Sequence, residues 1–323
     1  MLNNRRRFIM LQTKGMNIID TEGNPLLLKG YNLGSWQMLE NFMLGYPGVE
    51  QDLRKNMKTY GGIEKSDSFF DKLSKAFVQE KDIKFLSELG CNVIRIPFNY
   101  RLFEDDLHPY QYKEEGFKYI DFAVDLCKKY KMYVILDMHA VQGYQNADWH
   151  CDNGKGDINL YSDQESQNRF YALWMHIAAH YKNEDIIAAY ELMNEPVAYG
   201  EENVKELERI YKECTKKIRE VDSKHIIMIE GNFWGRSFEG FGVPYADNLI
   251  YSIHFYTEAG LFLRRYPTAE YVENYQRKGF LEYLMDERDS FIKKYKVPCL
   301  IGEVGLIESD ENYSEDKKRV LKF

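Results

Sequence analysis

Short apolar runs alternate along this chain with longer stretches in which hydrophobic side chains recur every three or four positions. The first run, Leu26 to Leu28, lies in "KGMNIIDTEGNPLLLKGYNLGSW" and follows a hairpin-like entry with "TEGNP" as its turn. Phe77, Val78, Ile83, Phe85, Leu86 and Leu89 then make a helical stripe that stops at Gly90, a natural helix terminator, and "CNVIRIPF" follows as a strand. The pairing of stripe and run recurs. Phe117, Ile120, Val124 and Cys127 precede "MYVILDMHA"; Phe170, Leu173, Trp174, Ile177 and Tyr181 precede "DIIAAYELMNEP"; Val204, Leu207, Tyr211, Cys214, Ile218 and Val221 precede "HIIMIEG". A loop region leads into "NLIYSIHFY", and a stripe around Tyr283 to Tyr295 leads into "VPCLIGEVG".

Seven strand candidates, nearly continuous in hydrophobicity and mostly separated by helices, predict parallel strands buried on both faces. An α/β fold of the (β/α)8 TIM-barrel type fits best. Its eighth strand is expected to be lacking, because only "SEDKKRVLKF" follows "IGEVGLIESDENY". A doubly wound open sheet is the alternative, but its phosphate fingerprint, GxGxxG after the first strand, is absent. With 323 residues, 44% of them apolar, the chain can bury one large core, and a barrel of ~250 residues fits within it. No Pro/Ser-rich linker, close repeat or low-complexity tract divides it, so residues 1–323 read as one catalytic-size domain, incomplete at its C-terminal end.

Charge and composition narrow the partner. Against 43 basic residues stand 51 acidic ones, a net charge of -8, which argues against nucleic acid because phosphates demand a basic face. The 25 Tyr and 19 Phe suit core packing first and stacking on the flat apolar faces of sugars second. Cys91, Cys127, Cys151, Cys214 and Cys299 are scattered without CxxC spacing, which suggests neither a disulfide framework nor a zinc site. The start "MLNNRRRFIMLQTKGMNI" offers only "FIML" where a signal core needs ~7 to 15 apolar residues, and no run approaches the ~20 of a membrane span. A cytoplasmic location is expected, or a secreted one if the N-terminus is incomplete, with no membrane partner.

In such a barrel the site lies at the C-terminal ends of the strands, where this chain places a consistent polar set. Arg95 lies within "VIRIPF", His139 ends "DMHA", Asn194 and Glu195 end the fourth run, His254 and Tyr256 end "SIHFY", and Glu303 ends "IGEVG". Any one of them has a structural explanation, a hydrogen-bonded histidine or a loop ion pair. Gathered at one mouth, they would be costly to desolvate unless they satisfy one another or a ligand. Glu195 and Glu303 come from strands on opposite sides of a barrel, so their carboxylates can face each other. Two facing carboxylates are the equipment of glycoside cleavage, where ~5 to 5.5 Å suits retention and ~6.5 to 9.5 Å suits inversion.

The motifs "NEP", "GEVG", "RIPF", "DMHA" and "SIHFY", in this order at strand ends, resemble glycoside hydrolase family 5, the retaining cellulase-like barrels of clan A, over roughly residues 24–308. The resemblance implies Glu195 as acid/base and Glu303 as nucleophile, with Asn194 on the sugar 2-hydroxyl, Arg95 and Tyr256 keeping Glu303 ionised, and His139 and His254 lining the subsite of the cleaved sugar. "LKGYNLGSWQMLENF" and "HAVQGYQNADWHCDNG" partly resemble the exo-β-1,3-glucanase branch. There a residue matching Glu40 binds the terminal sugar and a Gln-Asn pair, here Gln145 and Asn146, sits in the third loop. Trp36, Trp149 and Trp234 fall in predicted loops and are candidates for stacking on sugars, whereas Trp174 sits in a helical stripe. Family members carry a Trp after strand eight; a barrel without that strand would expose two edges and lose that platform.

The expected activity is therefore hydrolysis of β-glucan, β-1,3- or β-1,4-linked, as an oligo- or polysaccharide substrate, with no cofactor and no metal. The alternatives are β-mannan or a glucosylated lipid as substrate, an inactive carbohydrate-binding barrel, and a metal-dependent hydrolase built on His139, His254 and acids. The last usually carries an HxH pair at the first strand, where this chain reads "LLLKGYN".

Overall fold

The computed structural model describes residues 9–257 and 290–306. Two short strands, β1 (Gln12–Lys14) and β2 (Asn17–Ile19), pair antiparallel ahead of the main sheet. "TEGNP" makes the turn that follows: the Asp20 carboxylate accepts the N–H groups of Glu22 and Asn24, both at 2.9 Å, and Pro25 folds back against Ile19.

Among the described residues, seven strands then form one sheet in sequential order, every neighbouring pair parallel. They are β3 (Gly30–Asn32), β4 (Val93–Asn99), β5 (Tyr133–Ala140), β6 (Ile187–Glu191), β7 (Ile226–Glu230), β8 (Leu249–Thr257) and β9 (Cys299–Leu306). The intervening helices are α1 (Asn41–Leu44), α2 (Glu50–Gly61), α3 (Ile63–Phe77), α4 (Glu80–Glu88), α5 (Phe117–Tyr130), α6 (Gln164–Tyr181) and α7 (Gly200–Arg219), with a short helix Ser290–Tyr295 ahead of β9. The sheet curls so that β9 returns towards β3, and Asn32 Nδ2 of β3 donates to the Gly302 carbonyl of β9 at 3.2 Å. The sequence expectations about an eighth strand and its Trp fall on residues 307–323, outside the described residues. Among the described residues, no helix is long and apolar enough to cross a membrane.

One strand differs from its expected position. The first barrel strand is Gly30–Asn32, not Leu26–Leu28, and Leu27 is exposed. The reason is steric. A Cβ at position 30 would sit 2.0 Å from the Val93 carbonyl oxygen, so β3 can approach β4 closely only where the side chain is absent. Pairing therefore begins at Gly30 against Val93 and the leucines remain outside the sheet.

The core has two parts. Helices and sheet enclose an outer layer that includes Phe98, Phe103, Trp174, Tyr190 and Tyr211. Inside the barrel, Leu28, Val93, Ile135, Ala189, Ile226, Met228 and Ile250 fill its base, a packed interior rather than a pore. Because strand side chains alternate with period two, the residue two positions further along each strand occupies the next level up. That level is ionisable or polar throughout: Arg95 follows Val93, Asp137 follows Ile135, Glu191 follows Ala189, Glu230 follows Met228 and Ser252 follows Ile250. All five are at most 3% exposed.

Candidate active site

The buried polar level carries the residues at the mouth. Arg95, fixed by the seam of β4, makes three side-chain hydrogen bonds: Nε lies 2.5 Å from Glu191 Oε2, Nη1 is 2.7 Å from Glu303 Oε1, and Nη2 is 2.8 Å from Asn194 Oδ1. Nη2 also lies 3.0 Å from Asp137 Oδ2. Burial alone would disfavour the guanidinium charge, but Asp137, Glu191 and Glu303 together raise its pKa well above the usual value. One level up β5, His139 Nδ1 lies 2.7 Å from Asp137 Oδ2. Against the opposing effect of burial, Asp137 raises the imidazole pKa. His139 Nε2 lies 3.3 Å from the Asn194 amide nitrogen, so the amide of Asn194 is held between Arg95 and His139.

Glu195 and Glu303 meet around His254. A register shift in the β8/β9 ladder between Ile253 and His254 sets the histidine opposite Glu303, the re-aiming that a bulge provides. Its Nδ1 lies 2.8 Å from Glu195 Oε1, 3.4 Å from Glu230 Oε1 and 3.7 Å from Glu303 Oε2. Burial would lower the pKa of His254, but Glu230, Glu303 and the hydrogen bond to Glu195 push it up to about 10. Glu195, His254 and Glu303 each present an atom within 4.8 Å of the others, so an oxygen of one carboxylate lies within that distance of an oxygen of the other.

The two carboxylates have different surroundings. Glu303 is half-buried and its desolvation would favour its proton, yet His254, Arg95, His139 and the Tyr256 hydroxyl, donating at 2.5 Å, hold it well below the usual carboxylate range. Glu195 adopts φ 48°, in the left-handed region, which costs a non-glycine residue roughly 1–3 kcal/mol. Two hydrogen bonds maintain it: the Glu195 N–H donates to Glu230 Oε2 at 2.9 Å, and the Glu195 carbonyl accepts from Asn146 Nδ2 at 2.8 Å. Pro196 follows at once, its carbonyl accepting the Trp234 N–H at 3.3 Å.

A cavity of 480 Å³ descends from the mouth beside Glu303, lined there by Glu40, Phe42, His139 and Tyr256, to the slot between β3 and β9. Burial raises the pKa of Glu40, and Glu303 adds to the shift against His139 and His150. On the rim, Phe42 and Trp149 meet edge to face with ring centres 5.4 Å apart, and Trp149 is 37% exposed. Trp234 is held by Asp148, whose Oδ2 accepts the indole N–H at 2.6 Å. Both Trp234 and its neighbour Phe233 are left-handed, at φ 58° and 53°.

Two expected sugar contacts are corrected. Trp36 is 2% exposed and donates its indole N–H to the Ser74 carbonyl of α3; it fastens the first loop to the outer core and offers no face to a ligand. Asn146 is completely buried, and its side chain braces Glu195 and accepts the Asp148 N–H at 2.8 Å. Its work is holding the loop. Conversely, Asp137, Glu191 and Glu230 inside the barrel, and His150 beside Glu195, escaped the sequence reading. The signal for the first three was an acid standing two positions after an apolar residue within an otherwise hydrophobic run.

Among the described residues, two clusters have the ligand spacing of a metal site, Glu191–Glu230–His254 and Glu195–His254–Glu303. Both depend on His254, whose Nδ1 lies 2.8 Å from Glu195 Oε1, 3.4 Å from Glu230 Oε1 and 3.7 Å from Glu303 Oε2.

This barrel, with facing carboxylates at the C-terminal mouth, matches the family model for Cellulase (glycosyl hydrolase family 5) over residues 55–323. The chain belongs to glycosyl hydrolase family 5. It is 34% identical over 325 residues to a β-xylosidase of Phanerodontia chrysosporium, covering 97% of this chain and 66% of that protein. It is also 34% identical over 198 residues to endoglucanase C of Acetivibrio thermocellus, covering 61% of this chain and 55% of that protein. The chain thus spans less than two thirds of the length of these relatives. The β-glucanase SdGluc5_26A of Saccharophagus degradans shares the fold, with a TM-score of 0.66 at 20% identity over 98% of this chain and 81% of that one.

Proposed function

We propose that this barrel is a retaining β-glycosidase that hydrolyses β-glucan by double displacement. The observation that carries the reading is the approach of a Glu195 oxygen to a Glu303 oxygen within 4.8 Å around His254, the short spacing expected of a nucleophile and acid pair, where ~6.5 to 9.5 Å would be needed to seat a water for inversion. Glu303, held ionised by Arg95, His254 and Tyr256, attacks the anomeric carbon. Glu195 protonates the leaving oxygen as the C–O bond breaks, then takes a proton from the water that releases the sugar from Glu303. We assign Asn194, held between Arg95 and His139, to the sugar beside the acid, with Glu40 on the cavity wall. Trp149 and Trp234 form aromatic surfaces along the rim.

The names of the relatives, a β-xylosidase and an endoglucanase, support a β-linked sugar substrate and define a test panel of laminarin, lichenan, carboxymethylcellulose, mannan and xylo-oligosaccharides. NMR of the first product should show the β-anomer. Glu195→Ala should slow glycosides with poor leaving groups far more than activated aryl glycosides, and Glu303→Gln should abolish turnover while sparing sugar binding. Release of the α-anomer would sink the double displacement.

A further inference from the structure

Glu195 is approached by imidazoles on both of its oxygens. His254, buried on β8, lies 2.8 Å from Oε1. The other oxygen, Oε2, lies 3.4 Å from Nε2 of His150, in the turn Trp149–Cys151 of the loop after β5. That Nε2 also lies 3.6 Å from Asp148 Oδ2, whereas Nδ1 of the same ring is buried without a hydrogen-bond partner. A proton on Nδ1 would be wasted, and a proton on Nε2 faces two carboxylates. Nε2 is therefore the ring nitrogen whose hydrogen finds acceptors.

The loop that brings His150 here is built for the purpose. Asn146 holds the Glu195 carbonyl, and the buried Cys151 Sγ closes the turn on the Asn146 carbonyl at 3.2 Å. Asp152, completely buried, accepts from the Gln51 N–H at 2.7 Å and from Arg101 Nε at 3.0 Å, tying the loop to α2 and to the end of β4. One loop thus grips Glu195 at its backbone and at its carboxylate. Since His254 occupies Oε1 from inside the barrel, Oε2 is the oxygen left to face a glycosidic bond.

We propose that His150 is a positioning residue for Glu195, its Nε2–H aiming Oε2 at the leaving oxygen and supporting the carboxylate once the proton has left. This rests on the acid/base role assigned to Glu195 above. In the first half-reaction the C1–O bond to the leaving group breaks, the Glu195 proton passes to that oxygen, and Glu303 bonds to C1. In the second, water attacks C1, its proton returns to Glu195, and the C1–Glu303 bond breaks. A hydrogen bond from His150 is strongest between the two halves, when Glu195 is charged.

The test uses the full chain and a series of β-glucosides whose leaving groups run from activated phenols to simple alcohols. His150→Ala should lower kcat by roughly tenfold for the poorest leaving groups and by less than about twofold for the best, with KM little changed. His150→Gln, which places an amide N–H where Nε2 stood, should recover most of the loss. In a Glu195→Ala background, His150→Ala should cost nothing more. Equal losses across the series, or a further loss in that background, would overturn the role of His150. If Glu195→Ala itself shows no dependence on the leaving group, the acid assignment fails instead, so the two failures are distinguishable.

Discussion

Nδ1 of His254 lies 2.8 Å from Oε1 of Glu195, and the same nitrogen is 3.7 Å from Glu303 Oε2, so one imidazole ring stands between the two carboxyl groups of the candidate site. Its pKa is raised from 6.5 to about 10 in the fold. A raised base stabilises the folded state fully below the unfolded value and loses that contribution as pH rises through the folded one. Between pH 6.5 and about 10 the melting temperature should therefore fall. His254→Asn should start lower and fall less over that window in thermal melts; an unchanged slope would show that the charge resides elsewhere.

Glu230 lies beneath this pair, with Oε2 on the Glu195 N–H and Oε1 facing His254. Burial raises its pKa well above the usual carboxylate value, and Glu191 and Glu195 add to this against His254. Glu230→Ala leaves the Glu195 N–H without its acceptor, at a cost of about 1–3 kcal/mol, and frees the strained backbone of the acid. Glu230→Gln keeps an acceptor in place. Urea melts should rank the wild type and Gln well above Ala, with activity in the same order; equal stability of Gln and Ala would contradict the bracing role.

Gly30 permits the contact between β3 and β4. A Cβ there meets the Val93 oxygen at 2.0 Å and Val93 Cγ1 at 2.5 Å. Gly30→Ala should cost at least the ~1–3 kcal/mol of overpacking, read as a lower melting temperature, even though the added group is a single methyl.

On the N-terminal side of the barrel, Asp222 accepts from the Lys224 and His225 N–H groups, and its Oδ2 lies 2.5 Å from His225 Nδ1 and accepts from the Tyr190 hydroxyl. Burial opposes its charge, but the His225 contact and the backbone donors hold its pKa down at about 2, against an ordinary 3.8. A depressed acid stabilises above the unfolded value and loses its contribution as pH falls through the folded one. Asp222→Asn should thus destabilise the protein by on the order of 2 kcal/mol at neutral pH, and the gap to wild type should close below pH 3.8 and vanish near pH 2 in denaturant titrations.

The strands and their order were legible because parallel barrel strands are apolar on both faces, and the runs ending in His139 and Glu303 announced themselves. The start of β3 was not, since "LLLKGYN" is more hydrophobic before the strand than within it, and the deciding factor was the space at Gly30. Arg95, His254 and Glu195 could be named from strand-end chemistry. Trp36 and Asn146 were misread because loop position says nothing of burial, and here the first and third loops fold inward on Ser74 and Glu195. His150 carried no sequence signal. Its placement depends on a turn closed by Cys151 and anchored by Asp152, a set of contacts between segments distant along the chain.

The two-residue step from oily base to charged upper level divides each strand by task. Ile226, Met228 and Ile250 can be exchanged for other aliphatics of similar volume with consequences confined to folding, whereas a change one pleat repeat further along a strand, at Arg95, Asp137 or Glu230, alters the electrostatic field around Glu195 and Glu303. Evolution or a designer can therefore tune durability and chemistry in this protein almost independently, by choosing how far along a strand to intervene.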